Sequence, residues 1–160
     1  MKYYLSLGSN VGDRVGNLHK AVKMLKKLGK VLKKSALYQT EPVGVKDQYY
    51  FLNAAITFDC PLDPEELLDR IKVIERETGR HETYRWGPRE IDIDIIDYDG
   101  KEVDTAYLRL PHSEFEKRKF VLIPLLEIDD EFRNRNNVTI EELLLNCPDN
   151  SNVDLFLQKW

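Results

Sequence analysis

Asp92 and Asp94 lie two residues apart in Arg85-Trp-Gly-Pro-Arg-Glu-Ile-Asp-Ile-Asp-Ile-Ile96, with Ile91, Ile93 and Ile95 between and around them. On a strand, alternate residues share a face, about 6.6 Å apart at Cα. The pattern thus puts two carboxylates on one face and three isoleucines on the other. A half-exposed strand would also alternate in this way. Aspartate is a poor strand former, however, and two like charges so close repel. A divalent cation removes that repulsion, and hard oxygen ligands at this spacing suit Mg²⁺ sharing its shell with phosphates. Asp97 breaks the alternation and reads as a hairpin residue.

The flanks extend the chemistry. Arg80, Arg85, Arg89 and, further on, Arg118 are suited to bidentate contact with phosphate oxygens. Trp86 offers a flat face to a heteroaromatic ring. Each alone is commonly a solvated arginine or a core indole. Together in one short segment, acids, arginines and an aromatic point to phosphoryl or pyrophosphoryl transfer. Such transfer needs charge neutralisation and positioning more than a nucleophile. No serine or cysteine is set up as one, and no general base stands out.

The elements that must hold these groups follow from pattern. Residues 3–7 read as a buried strand ending in Gly8, Ser9 and Asn10. A helix from about Asp13 carries Leu18, Ala21, Val22, Leu25 and Leu28 at helical spacing, with Gly29 beyond its end. Residues 31–38 read as one strand, 39–50 as a loop and 51–58 as a strand with Asn53 inside it. Asp63-Pro64-Glu65-Glu66 is a helix start with Leu67, Leu68, Ile71 and Ile74 as its apolar stripe, closed by Gly79. Residues 90–98 form the acidic strand, and Asp99-Gly100 predicts a hairpin to a short strand at 101–103. The expected fold class is α+β, a ferredoxin-like β-α-β-β-α-β core with an added hairpin strand. A C-terminal helical extension follows, opened by Thr139-x-x-Glu142, with 134–138 and 148–153 as loops.

Bulk properties bound the class. With 160 residues, one domain over 1–160 with a real core is expected. The net charge of −4 argues against broad phosphate-backbone binding. Cys60 and Cys147 imply no disulfide framework. No apolar run approaches a membrane span, and the first residues do not form a signal peptide. A cytoplasmic protein is expected, with no nucleic-acid or membrane partner, no obligate protein partner, and a monomeric state. Two other classes fit less well. A ferredoxin-like nucleic-acid-binding module without enzymatic activity would need an aromatic pattern absent from the strands. A nucleotidyltransferase would share the acid pair but has no use for Asn53 and the aromatics.

Arg85-Trp-Gly-Pro-Arg-x-x-Asp92-x-Asp94 resembles the signature of the hydroxymethyl-dihydropterin pyrophosphokinase family of folate biosynthesis. Tyr-Leu-Ser-Leu-Gly-Ser-Asn at 4–10, Tyr-Gln-Thr-Glu-Pro-Val-Gly at 38–44, Phe-Leu-Asn-Ala-Ala at 51–55, Glu-Glu-Leu-Leu at 65–68, Gly79-Arg80, Leu110-Pro-His112 and Arg118-x-Phe120 follow in the family's order. The resemblance implies transfer of the β,γ-pyrophosphoryl group of ATP to the pterin hydroxymethyl group, with release of AMP. It implies Asp92 and Asp94 as ligands of two Mg²⁺ ions, and Arg80, Arg89 and His112 as catalytic groups at the phosphates. Lys72, Glu75, Trp86, Arg89, Ile95, His112 and Arg118 would border ATP. Thr40, Glu41, Val43, Phe51, Asn53, Trp86 and Phe120 would hold the pterin, over the turn at Gly8. Lys72, Ser113 and Lys119 depart from the family's usual residues. Loops 44–49 and 80–86 are expected to close over both substrates, with Arg80 reaching the phosphates in the closed state.

Overall fold

A computed structural model describes residues 1–41, 48–81 and 87–160. The lid expectation therefore falls largely outside the described residues, as do Val43 and Trp86. In chain order the elements are β1 (Lys2–Ser9), α1 (Arg14–Leu25), β2 (Lys30–Lys34), β3 (Leu37–Thr40), β4 (Phe51–Asp59) and α2 (Pro64–Thr78). There follow β5 (Asp92–Tyr98), β6 (Val103–Asp104), β7 (Arg109–Leu110), α3 (Lys119–Ile128), α4 (Ile140–Leu145) and β8 (Val153–Leu157). The architecture is α+β. Six strands pair antiparallel in the order β5-β1-β4-β3-β8, with β2 also paired to β4.

Period-two patterning gives each sheet face its own task. Leu5 and Leu7 of β1, Ala54 and Ile56 of β4, and Ile93 and Ile95 of β5 pack against Leu18 and Leu25 of α1 and Leu67 and Ile71 of α2. Each such leucine or isoleucine, taken out of water, stabilises the fold by about 2 kcal/mol. The opposite face is only partly covered. Ala55 and Ile96 lie under Val121, Leu122 and Leu125 of α3 and Ile140 and Leu143 of α4. Beyond them, toward Gly8, the face is left to a cavity.

Helix caps form where local signals place them. The Asp63 carboxylate accepts from Glu66 N at 3.0 Å, and Pro64 opens α2. Gly79 ends it at φ 108°, a conformation that glycine adopts without a Cβ penalty. The Thr139 hydroxyl accepts from Glu142 N at 3.2 Å.

Several elements differ from the sequence reading. The run 31–38 is two strands, because the Ser35 hydroxyl enters the ladder. It accepts from Ala55 N at 2.9 Å and donates to Ala36 O at 2.8 Å. α1 ends at Leu25, so Gly29 is not its cap. Instead, Gly29 lies where a Cβ would meet Asp59 O at 2.4 Å. Asp99 and Gly100 do form the turn, with φ 45° and 67°. The strand after it pairs with β7 in a separate two-stranded sheet, however, and not with β5. Asp97 is no hairpin residue: it lies within β5, after a bulge that sets Tyr4 opposite it, and its buried carboxylate meets Arg135 at 3.2 Å. The C-terminal extension is not purely helical either, since β8 returns to pair with β3. Among the described residues, no helix is long and apolar enough to cross a membrane, and Cys60 and Cys147 are free thiols.

Candidate active site

Strand register assembles the floor of the cavity. Gly8 of β1 pairs with Asp92 of β5 on one side and with Asn53 of β4 on the other. One step along, Ser6 pairs with Asp94 and Ala55. The small residues Ser6 and Gly8 thus keep the middle of the face low between the acids and the amide. At Gly8 the need is steric, because a Cβ there would meet Asn53 Oδ1 at 2.9 Å. Asn53 is buried, and its Nδ2 donates to Thr40 Oγ1 at 2.7 Å, which fixes the amide's orientation.

The cavity encloses about 420 Å³. Thirteen of the residues expected at the site line it: Thr40, Glu41, Phe51, Asn53, Lys72, Glu75, Arg80, Arg89, Asp92, Asp94, His112, Arg118 and Phe120. Ser6, Gly8, Leu68, Ile71, Gly87 and Ile93 also contribute to the wall. Ile95 does not join them; it is buried among the core residues under α1 and α2, as its place in the alternation requires.

The carboxylates sit in a strong field. Burial raises the Asp92 pKa, against the cations of Arg80 and Arg118. Burial and the neighbouring Asp92 push Asp94 up to about 7. Two unit charges about 6.6 Å apart repel by about 2.5 kcal/mol at an effective dielectric near 20. That exceeds the ~1 kcal/mol span of strand propensities, and burial, the first cause of the raised pKa at both acids, adds a larger cost. On the α2 side, Arg80 Nη1 lies 2.8 Å from Glu75 Oε2 and 3.3 Å from Asp92 Oδ1. Glu75 Oε2 also accepts from Ile93 N at 2.9 Å, satisfying an outward amide of the edge strand β5. Burial raises the Glu75 pKa, while that amide and Arg80 oppose the shift. Glu75 therefore ties α2 to the acid strand and holds Arg80 over it.

His112 is fixed from both ends. Its backbone N donates to Ile96 O at 2.8 Å, and its Nδ1 accepts from Glu114 N at 3.1 Å. Burial and the Arg118 cation lower its pKa. The ring is thereby held neutral near pH 7 with its proton on Nε2, a donor and not a base. Arg118 precedes α3, with its guanidinium 5.9 Å from the Phe120 ring centroid.

Asn10 was legible only as a turn residue, yet it is fully buried and holds three segments together. Its Oδ1 accepts from Arg89 N at 2.8 Å, while its Nδ2 donates to Gln48 Oε1 at 2.7 Å and Tyr49 O at 3.1 Å. No period announces such a residue, because its partners are far away in sequence. Ser6 and Gly8 did carry a signal, as small residues alternating with Leu5 and Leu7.

One cavity thus joins a carboxylate pair, four cationic side chains and a face bearing two phenylalanines and a fixed amide. That set suits a polyphosphate at one end and a flat, hydrogen-bonding heterocycle at the other. A family model described as 7,8-dihydro-6-hydroxymethylpterin-pyrophosphokinase matches residues 4–130. The chain belongs to this pyrophosphokinase family. It is 45% identical over 126 residues to the 2-amino-4-hydroxy-6-hydroxymethyldihydropteridine pyrophosphokinase of Aquifex aeolicus, covering 79% of each chain. To the Bacillus subtilis pyrophosphokinase it is 44% identical over 127 residues, covering 78% of this chain and 76% of that one. Its fold superposes with a TM-score of 0.71 on the crystal structure of Plasmodium falciparum HPPK-DHPS with pteroate, at 17% identity. That match covers 90% of this chain but only 42% of the Plasmodium chain.

Proposed function

We propose that this chain transfers the pyrophosphoryl group of ATP to the hydroxymethyl group of 6-hydroxymethyl-7,8-dihydropterin in folate biosynthesis, releasing AMP. The observation that carries the proposal is a single cavity with Asp92, Asp94 and the arginines at one end and Asn53, Phe51 and Phe120 at the other. Phe51 and Phe120 sandwich the pterin ring, and Asn53, with Thr40, Glu41 and Val43, reads its polar edge. Lys72, Arg80, Arg89 and Arg118 neutralise the phosphates, and His112 donates to them from Nε2. Trp86, outside the described residues, is proposed only as a further aromatic face for the rings. Ile95, buried on the face under α1 and α2, is left out of the proposed nucleotide contacts.

Asp92 and Asp94 fit a divalent cation. They are adjacent hard oxygen donors whose mutual repulsion and burial favour the proton unless a cation replaces it. Two Mg²⁺ ions are proposed there, supplying charge neutralisation of the phosphate oxygens. The protein's own part is positioning the hydroxyl for in-line attack and excluding water. Arg80, held by Glu75, exchanges Asp92 for a phosphate oxygen as the nucleotide enters.

The strand order supports a ferredoxin-like core in which β2 and β3 together serve as one strand. Residues 1–160 are proposed to act as one domain, monomeric and cytoplasmic. The deciding experiment incubates the protein with ATP and Mg²⁺, with and without the pterin. AMP and a pterin diphosphate are expected only when the pterin is present. Release of ADP, or of AMP at the same rate without pterin, would overturn the proposal.

A further inference from the structure

The first turn of α3 carries Phe120 and follows directly on Arg118, and both residues line the cavity. A helix start leaves backbone amides in need of acceptors. Arg118, at the cap position, makes no side-chain capping bond. The acceptor comes instead from about thirty residues downstream. Asp149 Oδ2 accepts from Lys119 N at 3.1 Å, and its Oδ1 accepts from Ser151 N at 2.9 Å. Lys119 Nζ returns to Ser151 O at 3.3 Å. Two residues beyond Ser151 the chain enters β8, where Val153 pairs with Thr40, the residue that fixes Asn53.

We infer that residues 149–153 are a strap that sets the cavity's geometry from behind, with Asp149 the positioning residue for Phe120 in the first turn of α3. The strap lies beyond residue 130, where the family match ends, and it contributes nothing to the cavity wall itself. It grips both sides of the ring-binding end, α3 through Asp149 and β3 through Val153. Its carboxylate also places negative charge at the positive end of α3. The inference rests on the pyrophosphokinase reading for the identity of the ligand.

The test compares Asp149→Ala, Asp149→Asn and Lys119→Pro with Thr139→Ala, which removes the cap of α4, a helix that does not line the cavity. Lys119→Pro deletes the amide that Asp149 binds at a position where proline suits a helix, after an Arg118 already extended at φ −122° and ψ 102°. Calorimetric titration with pterin and with a non-hydrolysable ATP analogue plus Mg²⁺ is read beside kcat, KM and Tm. Asp149→Ala and Lys119→Pro should each weaken pterin binding about fivefold, the scale of a lost cap, with kcat within about twofold. Asp149→Asn should fall between Asp149→Ala and the parent, since its one amide oxygen can accept only one of the two bonds and its Nδ2 can accept neither. Thr139→Ala should lower Tm with unchanged affinity. Unchanged pterin affinity in Asp149→Ala or Lys119→Pro, or an equal loss in Thr139→Ala, overturns the strap. If the unaltered protein binds neither ligand, it is the pyrophosphokinase reading that fails instead.

Discussion

Asp92 and Asp94 show how one residue type at one spacing can determine both chemistry and stability. Each presents oxygen to the cavity from an edge strand paired on one side with β1, with Glu75 accepting the Ile93 amide on the other. Asp92→Ala or Asp94→Ala should therefore abolish pyrophosphoryl transfer with the fold intact, as judged by AMP release and circular dichroism. Near-normal turnover at ordinary Mg²⁺ would remove them from the metal site. The raised pKa of Asp94 has a thermodynamic consequence. Between 3.8 and about 7 the folded carboxyl keeps a proton that the unfolded chain has lost. The ligand-free protein thus loses stability from this group as pH rises through that window. Asp94→Asn should accordingly raise Tm more at pH 8 than at pH 4, and Mg²⁺ should stabilise the parent protein more than the variant. Scanning calorimetry at the two pH values, with and without Mg²⁺, checks both expectations. A variant whose gain is the same at both pH values would refute the linkage.

At the scale of elements, the binding face is the product of strand register. β4 places Asn53 between Gly8 of β1 and Tyr38 of β3, and the Thr40 hydroxyl then fixes its amide. Asn53→Ala should weaken pterin binding by about 1–3 kcal/mol, since polar edges of a buried ring lose their partner. ATP binding should be nearly unchanged, because the phosphate end is built by α2, β5 and the start of α3. Equal losses for both ligands in calorimetry would make Asn53 a structural residue. α2 takes part in the phosphate end through Glu75, which satisfies an edge amide of β5 while holding Arg80. Helix and strand are thereby locked in the phase that brings cation and carboxylate together.

Over the whole molecule, the segments after residue 130 act as ties between distant parts. Arg135 reaches Asp97 on the acid strand, 3.2 Å away and nearly buried, and also donates to Lys101 O. Burial raises the Asp97 pKa, and the Arg135 charge opposes that shift. Removing one partner of a buried pair leaves a charge without its counter-ion. Arg135→Met should cost about 3 kcal/mol in urea unfolding, and Asp97→Leu combined with it should recover much of the loss. If the double variant is as unstable as the single, the pair is not what holds this end of β5.

Local information sufficed for most of what was local, the cap expected at Gly29 being the exception. The caps at Asp63, Gly79 and Thr139, the turn at Asp99-Gly100 and the facing of Asp92 and Asp94 each depend on residues within about four positions, and all were legible in the sequence. The family signature likewise named most of the side chains that line the cavity, because it samples several short segments at once. What tertiary structure alone decided involves partners far apart along the chain. Ser35 divides a strand by bonding Ala55, Asp97 is buried against Arg135, Asn10 holds Arg89 beside Gln48, and Asp149 caps a helix that began thirty residues earlier. β8 became a strand because β3 offered it an open edge, a vacancy that exists only once the sheet has formed. Periodicity records which face a residue turns inward. It does not record which buried polar group will be waiting there, and hydrogen bonding between such groups settles the remaining choices.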